Sequence, residues 1–364
     1  MRYKLGEIFN LQMGKTPDRH SPKFWNEGTE PWISIADLTK CIKYIENTAE
    51  KITATAVDES GIKIIPKNTV IMSFKLSIGK VAITPKEMYS NEAIMSFIDK
   101  GVLKIEPVYL YYLLMHKDWD TDTNKAVMGK TLNKATLSQM TVNIHGYSEQ
   151  LEIIKALDAA SSIIAARKQQ LTELDNLIKA RFVEMFGDPE LNPRGLPVLP
   201  WNAVFLTTTG KLDSNAMVEN GRYPFFTCAK ESYKIDSYAF DCEALLLAGN
   251  NAAGIYDVKH YKGKFNAYQR TYVLRLMNEK WSYILFKRQL EDKLQYLQSQ
   301  SKGTNTRYLT LGILNELRFV VPPVAEQEQF AVFVEQSDKS KVTVQKALDE
   351  AQLLFDSLMQ KYFG

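Results

Sequence analysis

Two stretches of the chain carry apolar residues at a sustained seven-residue spacing. Neither stretch contains proline or glycine before its last residues. A seven-residue apolar period is typical of helices that pair in a coiled coil. The sequence therefore predicts two long helices joined along apolar seams. The first seam consists of Leu157, Ile164, Leu171, Ile178 and Met185, with Ile153, Ala160 and Leu174 at the companion position, and the second of Phe330, Val334, Val344, Leu348, Ala351, Phe355, Leu358 and Tyr362.

Four seam positions are polar, namely Arg167, Arg181, Ser337 and Lys341. Such residues weaken a helix pair but can fix its register. A helix of roughly 38 residues would span about 57 Å at 1.5 Å per residue. The alternative is that each helix packs on its own domain, but the equal lengths and matched ends of the helices favour pairing with each other.

The chain is also an internal repeat. Segment 146–187 aligns with segment 323–364 without a gap, so that Glu149-Gln150 falls on Glu326-Gln327. We call this constant shift of 177 positions, for example from Glu149 to Glu326, the repeat offset. Further upstream, Gly14-Lys15 matches Gly210-Lys211 more loosely. We therefore interpret the chain as two half-repeats, 1–187 and 188–364, each a divergent block followed by a similar helical tail.

The blocks before the two tails have a mixed α/β pattern. Segments 69–74, 80–84, 244–248 and 271–276 resemble strands, and segments 108–117 and 282–298 resemble amphipathic helices. The breaker-rich segment 187–195 marks the boundary between the halves. The predicted organisation is an α/β domain at 1–147, a helix at 148–187, a second α/β domain at 188–323 and a second helix at 324–364.

Composition adds limits on function. The 364 residues are 45% hydrophobic and 24% charged, as in a soluble globular protein. The first residues do not resemble a signal peptide, and no apolar run approaches the roughly 18 residues of a membrane span. We therefore expect a cytoplasmic protein without a membrane partner. The distant cysteines Cys41, Cys228 and Cys242 form no CxxC pair, so we expect reduced thiols.

Positive charge is concentrated in the two α/β blocks. Residues 1–147 carry 19 Lys/Arg against 16 Asp/Glu, and residues 188–323 carry 17 against 13. The helical segments are acidic, with 5 against 6 in residues 148–187 and 4 against 7 in residues 324–364. This distribution is compatible with two DNA-facing domains on a scaffold.

Catalytic motifs are incomplete throughout the sequence. Gly14-Lys15-Thr16 and Gly129-Lys130-Thr131 end like a phosphate-binding loop, but the glycine required five residues earlier is Phe9 in one case and Asn124 in the other. Pro322-Pro323 lies between valines, which offer no hydrogen bond to a base amine. Glu291-Asp-Lys293 is better explained as a solvated helix face, and the histidines lack metal-ligand spacing. We expect no catalytic residue, cofactor or metal on this chain.

The chemistry that remains is recognition of nucleic acid. Turns in both blocks place Lys, Arg, Asn, Gln, Ser and Thr next to glycine. Lys and Arg neutralise phosphates, Asn and Gln can read adenine, and Arg and Lys can read guanine. The candidate DNA-binding residues are Lys15, Thr16, Arg19, Lys75, Ser77, Lys80, Lys130, Thr131 and Asn133 in the first block, and Lys211, Asn250, Asn251, Lys264, Tyr268, Gln269, Arg270, Lys302, Thr304, Asn305 and Arg307 in the second.

Several motifs in this order resemble those of the specificity subunits of Type I restriction-modification systems. They are Phe74-Lys-Leu-Ser-Ile-Gly-Lys-Val-Ala-Ile83 with Ser90-Asn-Glu-Ala93, Leu245-Leu-Leu-Ala-Gly-Asn-Asn251 with Tyr261-Lys-Gly-Lys-Phe-Asn-Ala-Tyr-Gln-Arg-Thr-Tyr272, and Leu317-Arg-Phe-Val-Val-Pro-Pro-Val-Ala-Glu-Gln327. The resemblance covers nearly the whole chain. The first copy departs from the pattern in Asn143-Ile-His-Gly-Tyr-Ser-Glu-Gln150, which lacks the proline pair of the second copy.

The resemblance implies two target recognition domains separated by two long helices that form an antiparallel coiled coil. It also implies a non-catalytic subunit that reads an asymmetric, two-part double-stranded DNA target. The implied partners are two methyltransferase subunits, which hold S-adenosylmethionine, and ATP-dependent restriction subunits that can join them.

Three alternatives remain open at this point. The chain could serve a related system in which nuclease and methyltransferase are fused, and neighbouring genes would distinguish this case. It could be a coiled-coil scaffold that binds protein only, which would show no sequence selection in DNA-binding assays. A stand-alone enzyme is the third alternative, and the incomplete catalytic motifs count against it.

Overall fold

The computed structural model describes residues 1–75, 77–119 and 132–364. Their contacts divide the chain into two compact units. Unit 1 comprises residues 1–167 and 347–364, and unit 2 comprises residues 168–346. Both divisions fall inside long helices, so each unit contains part of each helix. The predicted four-domain bounds stay a prediction, because the contacts group helical segments with the blocks they touch.

The strands of unit 1 form small sheets around a common core. A four-stranded antiparallel sheet has the order β2-β8-β5-β6, a three-stranded sheet has the order β4-β3-β7, and β1 pairs with β9. Strands β3 and β7 run parallel. The strands are β1 (Arg2–Lys4), β2 (Phe9–Met13), β3 (Glu30–Ile33), β4 (Glu50–Ile52), β5 (Val70–Ser73), β6 (Val81–Ile83), β7 (Tyr89–Ser90), β8 (Ile94–Asp99) and β9 (Thr141–Asn143).

The helices of unit 1 close this core. They are α1 (Leu5–Ile8), α2 (Pro22–Trp25), α3 (Ile35–Lys40), α4 (Ala54–Ser60), α5 (Pro107–His116), α6 (Lys134–Gln139) and the first part of α7 (Tyr147–Phe186). Helix α5 starts at a proline, which lacks the N–H that the first turn would leave unpaired. The core contains Leu157 of α7 together with Met359 from the C-terminal end of the chain.

Unit 2 contains one six-stranded sheet with the order β11-β17-β14-β16-β12-β13, together with the strand pairs β10-β19 and β15-β18. The strands are β10 (Val198–Pro200), β11 (Phe205–Thr209), β12 (Tyr223–Phe226), β13 (Tyr233–Ile235), β14 (Phe240–Ala248), β15 (Asn250–Asn251), β16 (Val258–Ala267), β17 (Thr271–Leu276), β18 (Arg307–Tyr308) and β19 (Arg318–Val320).

The helices of unit 2 include a break that the sequence pattern did not predict. The segment expected to be one helix at 282–298 forms two helices that meet at Lys293. There the backbone N–H of Lys293 bonds to the carbonyl of Leu290, 3.1 Å away, instead of continuing the α-helical ladder. The helices are α8 (Trp201–Val204), α9 (Tyr283–Asp292), α10 (Leu294–Gln300), α11 (Leu311–Asn315) and α12 (Val324–Phe363), with a short 3₁₀ turn at Ser214–Ala216.

The two units repeat one topology. In unit 1 the strand neighbours β2-β8-β5-β6 and β7-β3-β4 correspond to β11-β17-β14-β16 and β16-β12-β13 in unit 2. The units differ at one strand: β16 of unit 2 is continuous, whereas unit 1 has two separate strands, β6 and β7, in its place. The similarity of the two halves therefore extends to their sheet order, including the parallel pairs β3-β7 and β12-β16.

The start of each long helix is fixed by a buried glutamine. Gln150 Oε1 accepts a hydrogen bond from the backbone N–H of Glu106, 3.1 Å away, just before α5. Gln327 Oε1 likewise accepts one from the backbone N–H of Ser282, 3.0 Å away, just before α9. Both glutamines are at most 1% exposed. The helices start at Tyr147 and Val324, which the repeat offset aligns, so the missing proline pair does not shift the first helix.

Candidate nucleic-acid interface

Three loops of unit 1 meet at one edge of its four-stranded sheet. They are residues 14–16 after β2, residues 74–75 after β5 and residues 91–93 before β8, and we call them the loop edge of unit 1. Backbone hydrogen bonds hold them together: Lys15 N–H bonds to the carbonyl of Ser90, the last residue of β7 before the third loop, at 2.8 Å, and Phe74 N–H bonds to the Ala93 carbonyl at 3.0 Å. A Cβ on Gly14 would lie 2.2 Å from the Asn91 carbonyl oxygen, so only glycine fits there.

Unit 2 builds the same edge from its own loops. Residues 210–212 follow β11, residues 249–251 follow β14 and residues 268–270 precede β17; these form the loop edge of unit 2. Gln269 N–H bonds to the Leu212 carbonyl at 2.9 Å, and Gly249 N–H bonds to the Arg270 carbonyl at 2.8 Å. A Cβ on Gly210 would lie 1.8 Å from the Ala267 carbonyl oxygen. The glycines of the Gly-Lys repeat are thus required by close backbone approach.

The side chains at the loop edge of unit 1 carry both charges. Lys15 reaches the Ser60 carbonyl, and Thr16 donates a hydrogen bond to the Glu92 carboxylate. Arg19 forms an ion pair with Glu50, while its guanidinium carbon lies 4.0 Å from the ring centroid of Trp25. The aromatic contact and the ion pair orient a guanidinium that remains 45% exposed.

Glu92 remains ionised at this edge. The hydrogen bond from Thr16 lowers the pKa of Glu92, while partial burial opposes the shift. The backbone N–H of Glu92 and then the positive charges of Lys75 and Arg19 lower the pKa further. The loop edge of unit 1 therefore presents a fixed negative acceptor among cations.

In unit 2 a hairpin brings together two candidate clusters that are distant in sequence. Strand β15 pairs with β18, so that Asn250 lies opposite Tyr308 and Asn251 opposite Arg307. Residues 302–308 are exposed. Lys302 and Tyr308 exchange backbone hydrogen bonds of 3.1 and 2.8 Å, which closes the hairpin. The cluster around Lys302, Thr304, Asn305 and Arg307 therefore lies beside the Asn250-Asn251 loop.

Gln269 and Arg270 lie in the neighbouring loop of the same edge, and both are exposed. The Gln269 amide donates to the Asp213 carboxylate at 3.2 Å. The backbone of Tyr268 is fixed by a 2.9 Å hydrogen bond from its N–H to the Phe226 carbonyl. Lys211 is exposed in the adjoining loop. The backbone of this loop edge is thus held firmly while its polar side chains face outward.

Some candidate residues have structural contacts instead. Asn133 caps α6, because its side-chain oxygen accepts from the Thr136 N–H at 2.9 Å. Lys80 donates to the Thr39 hydroxyl at 2.6 Å, and the Ser77 carbonyl accepts from Ser73. Lys264 lies on β16 with its ammonium 4.7 Å from the Tyr238 ring centroid. Their roles in DNA binding stay predictions, and Lys130 and Thr131 lie outside the described residues.

The apolar positions predicted to form the helix seams are all buried or half-buried. In unit 2 the Lys341 ammonium lies 2.6 Å from the Asp175 carboxylate, and the Phe182 and Phe330 ring centroids are 5.7 Å apart. A step toward the end of α7 thus corresponds to a step toward the start of α12, so the helices run antiparallel in unit 2. In unit 1, Met359 is 4% exposed within the core that holds Leu157.

The polar seam residue Lys341 is accommodated by charge. Burial acts to lower its pKa, but the ion pairs with Asp175 and Asp338 outweigh burial and raise the pKa. Lys341 therefore stays charged inside the seam and has a preferred partner on α7, which is the behaviour expected of a register-setting residue.

No metal-binding group of three or more His, Cys, Asp or Glu residues occurs within residues 1–75, 77–119 and 132–364. In the same described ranges, no helix is both long and apolar enough to cross a membrane. The three cysteines are free.

A sequence profile described as the Type I restriction modification DNA specificity domain matches residues 1–176 and 204–351. The chain belongs to the Type I specificity-subunit family. The profile matches twice, once in each half-repeat, so the repeat found in the sequence corresponds to two copies of the specificity domain. Members of this family are non-catalytic, which confirms the prediction that the chain is not an enzyme.

Two curated specificity subunits illustrate the range of the family. The chain is 39% identical over 141 residues to the Type I restriction enzyme EcoDI specificity subunit of Escherichia coli, a match that spans 37% of this chain and only 30% of that subunit. It is 25% identical over 402 aligned positions to the MjaIX specificity subunit of Methanocaldococcus jannaschii, covering 98% of this chain and 91% of the relative.

Solved structures show the same fold. The S subunit of a Type I restriction-modification system from M. genitalium has a TM-score of 0.62 at 14% identity, covering 100% of this chain and 96% of that one. A chain from a structural study of complex assembly and conformational transition of the type I R-M system has a TM-score of 0.56 at 16% identity, covering 100% and 97%. The predicted fold class, two α/β domains with long helices, is confirmed.

One residue of this specificity subunit's loop edges is absent from the candidates predicted from the sequence. This residue is Glu92, which belongs to the motif Ser90-Asn-Glu-Ala93 and which the structure places at the loop edge of unit 1 beside Thr16. The signal was available, because the repeat offset that aligns the two helical tails also places Glu92 on Gln269.

Proposed function

We propose that this specificity subunit reads an asymmetric, two-part sequence in double-stranded DNA, with one loop edge for each part. The observation that carries the proposal is that the same backbone edge is built twice with different polar side chains. A similar backbone frame supports the same mode of approach to DNA, and different side chains select different bases. The two words should therefore differ and be separated by a degenerate spacer.

The electrostatics of the loop edges support contact with phosphates. The loop edge of unit 2 and its neighbouring hairpin carry Lys211, Arg270, Lys302 and Arg307 against Asp213. Exposed cations of this kind bind the DNA backbone in a salt-dependent way. In the proposal they position the protein, while amide and carboxylate side chains supply the selection among bases.

Methylation mapping in a host with and without the gene tests the proposal. We expect an asymmetric bipartite site that depends on the gene. A single uninterrupted recognition sequence would contradict it. Filter binding of the purified subunit and its methyltransferase with random duplexes tests the scaffold alternative, which requires that no sequence be enriched. The identity of the neighbouring genes distinguishes a Type I system, with separate methyltransferase and restriction subunits, from the alternative in which nuclease and methyltransferase are fused.

We further propose that the long helices dock two copies of one methyltransferase, which supplies S-adenosylmethionine, and that restriction subunits join this assembly. Leu177 on α7 and Leu354 on α12 are aligned by the repeat offset and are 49% and 51% exposed. Two equally exposed leucines at repeat-equivalent positions suit two copies of the same partner surface, because each copy would meet the same apolar anchor.

Single and double substitutions of these leucines test the docking proposal. Leu177→Asp and Leu354→Asp should each reduce the methyltransferase content of the complex from two copies to one, measured by native mass spectrometry, and the double variant should bind none. Leu353→Asp is the matched control, since Leu353 is 72% exposed but its repeat equivalent is the polar Asn176. Two bound copies in every variant would contradict the proposal.

A further inference from the structure

Strands β8 and β17 are each preceded by a residue at a corresponding position in the strand register. In unit 1, β8 pairs with β2 and β5, with Met95 opposite Met13 and Met72. In unit 2, β17 pairs with β11 and β14, with Tyr272 opposite Thr209 and Leu247. Counting back three positions from Met95 and from Tyr272 gives Glu92 and Gln269.

The flanking hydrogen bonds are matched as well. Asn91 N–H bonds to the Ile33 carbonyl at 3.1 Å, and its counterpart Tyr268 bonds to the Phe226 carbonyl at 2.9 Å. On the other side, Ile94 N–H bonds to the Asn91 carbonyl at 3.2 Å, as Thr271 N–H bonds to the Tyr268 carbonyl at 2.8 Å. Glu92 and Gln269 are therefore held in equivalent short turns, and both are exposed.

We propose that Glu92 and Gln269 are corresponding base-reading residues, with Glu92 selecting a cytosine in the first word and Gln269 selecting an adenine in the second. The inference rests on the proposed function of the loop edges. A carboxylate only accepts hydrogen bonds, and in the major groove cytosine presents its N4 amino group as a donor. A glutamine amide both donates and accepts, which matches the N7 and N6 groups of adenine.

The contacts of both side chains leave capacity for a base. Thr16 donates to Oε2 of Glu92, and the backbone N–H of Glu92 itself also bonds to this carboxylate. A carboxylate has about four acceptor sites, so two donors leave capacity for a third. Gln269 uses one N–H toward Asp213, which leaves its Oε1 and a second N–H. Each side chain is thus anchored by hydrogen bonds within the loop edge and retains hydrogen-bonding capacity for a base.

The charge of Glu92 argues for a base contact over a phosphate contact. A carboxylate at a DNA-facing edge is repelled by phosphates, and Lys15, Arg19 and Lys75 in and beside the same edge offset that repulsion. Phosphate binding alone would be stronger without Glu92. The Glu92 carboxylate favours binding only where it accepts a hydrogen bond from the DNA. The amino groups of the bases are the hydrogen-bond donors in the grooves, so the expected partner is a base.

The two residues can be exchanged within one chain to test the proposal. The full-length Glu92→Gln and Gln269→Glu variants, each complexed with the methyltransferase, are assayed with duplexes carrying all four bases at each position of both words. Glu92→Gln should change the preference at one position of the first word from cytosine to adenine, with discrimination altered by about 5- to 150-fold. Gln269→Glu should make the opposite change in the second word.

Glu87→Gln is the matched control, because it removes the same charge from an exposed position shortly before Glu92. It should leave both words unchanged. The proposal is overturned if Glu92→Gln alters no single position, weakens all duplexes equally or abolishes binding to all of them, or acts on the second word. Both new variants are nearly isosteric, and thermal unfolding confirms that they fold. If the unsubstituted complex selects no bipartite site, the proposed function itself fails.

Discussion

Met359 offers the sharpest test of how the chain is divided, because this residue near the C-terminus lies in the core of unit 1. Met359 is 4% exposed and packs in the cluster that contains Ile153 and Leu157. Replacing a buried methionine by alanine costs about 2–5 kcal/mol, through lost apolar burial and the cavity left behind. Met359→Ala should therefore destabilise unit 1 by that amount.

The repeat provides a partner variant for unit 2. Phe182 is the repeat equivalent of Met359, is 2% exposed and packs against Phe186 and Phe330 with ring centroids 5.1 and 5.7 Å away. Phe182→Ala should cost about 3–5 kcal/mol in unit 2. Leu353→Ala, at a position that is 72% exposed, should change stability by less than about 0.5 kcal/mol.

Hydrogen exchange measured strand by strand is the appropriate assay, because two units need not unfold in one transition. In Met359→Ala the protection of β2, β5 and β8 should fall while that of β11, β14 and β17 is retained, and Phe182→Ala should give the reverse pattern. The assignment of the C-terminal helix segment to unit 1 is refuted if Met359→Ala loses protection in unit 2 first, or if it behaves like Leu353→Ala.

Three further predictions concern assembly, recognition and thiol chemistry. A chain cut after Gly187 should form a dimer, measured by light scattering, in which Phe182 and Phe186 of a second copy replace Met359 and Phe363. Together with the methyltransferase, this dimer should methylate an inverted repeat of the first word. An asymmetric site would contradict the half-repeat interpretation. Arg270→Ala should cost about 1–3 kcal/mol at one base pair of the second word in competition binding, whereas uniform weakening with a lower salt slope would mark a phosphate contact. Burial, and secondarily Glu46, raises the pKa of Cys41 from 9.0 to about 11. At pH 8 its thiolate fraction should be about 100 times lower than that of an unperturbed thiol, and its alkylation should be about 10 times slower, because a thiolate of higher pKa is more nucleophilic. The contribution of Cys41 to stability should fall as pH rises from 9 to 11, and alkylation at the rate of a free peptide thiol would disprove its burial.

The features that depend on local period and on self-similarity could be predicted from the amino-acid sequence. The seven-residue spacing from Leu157 to Met185 identified the helix and its buried face, because a side chain's position around a helix follows from its number along the chain. The repeat offset identified the two halves, and the buried pair Gln150 and Gln327 shows why one glutamine is kept at each helix start. Strand β17 was likewise predicted at its observed bounds.

The contacts between distant segments could be found only from the folded structure. Glycine at positions 14 and 210 is explained by carbonyl groups of residues 90–91 and 267–268, and no local pattern encodes that approach. The placement of Glu92 opposite Thr16, of Asn251 beside Arg307 and of Met359 in the core of unit 1 depends on strand register and long-range packing. These contacts join residues tens to hundreds of positions apart, so their geometry is fixed by the whole fold and not by the propensities of neighbouring residues.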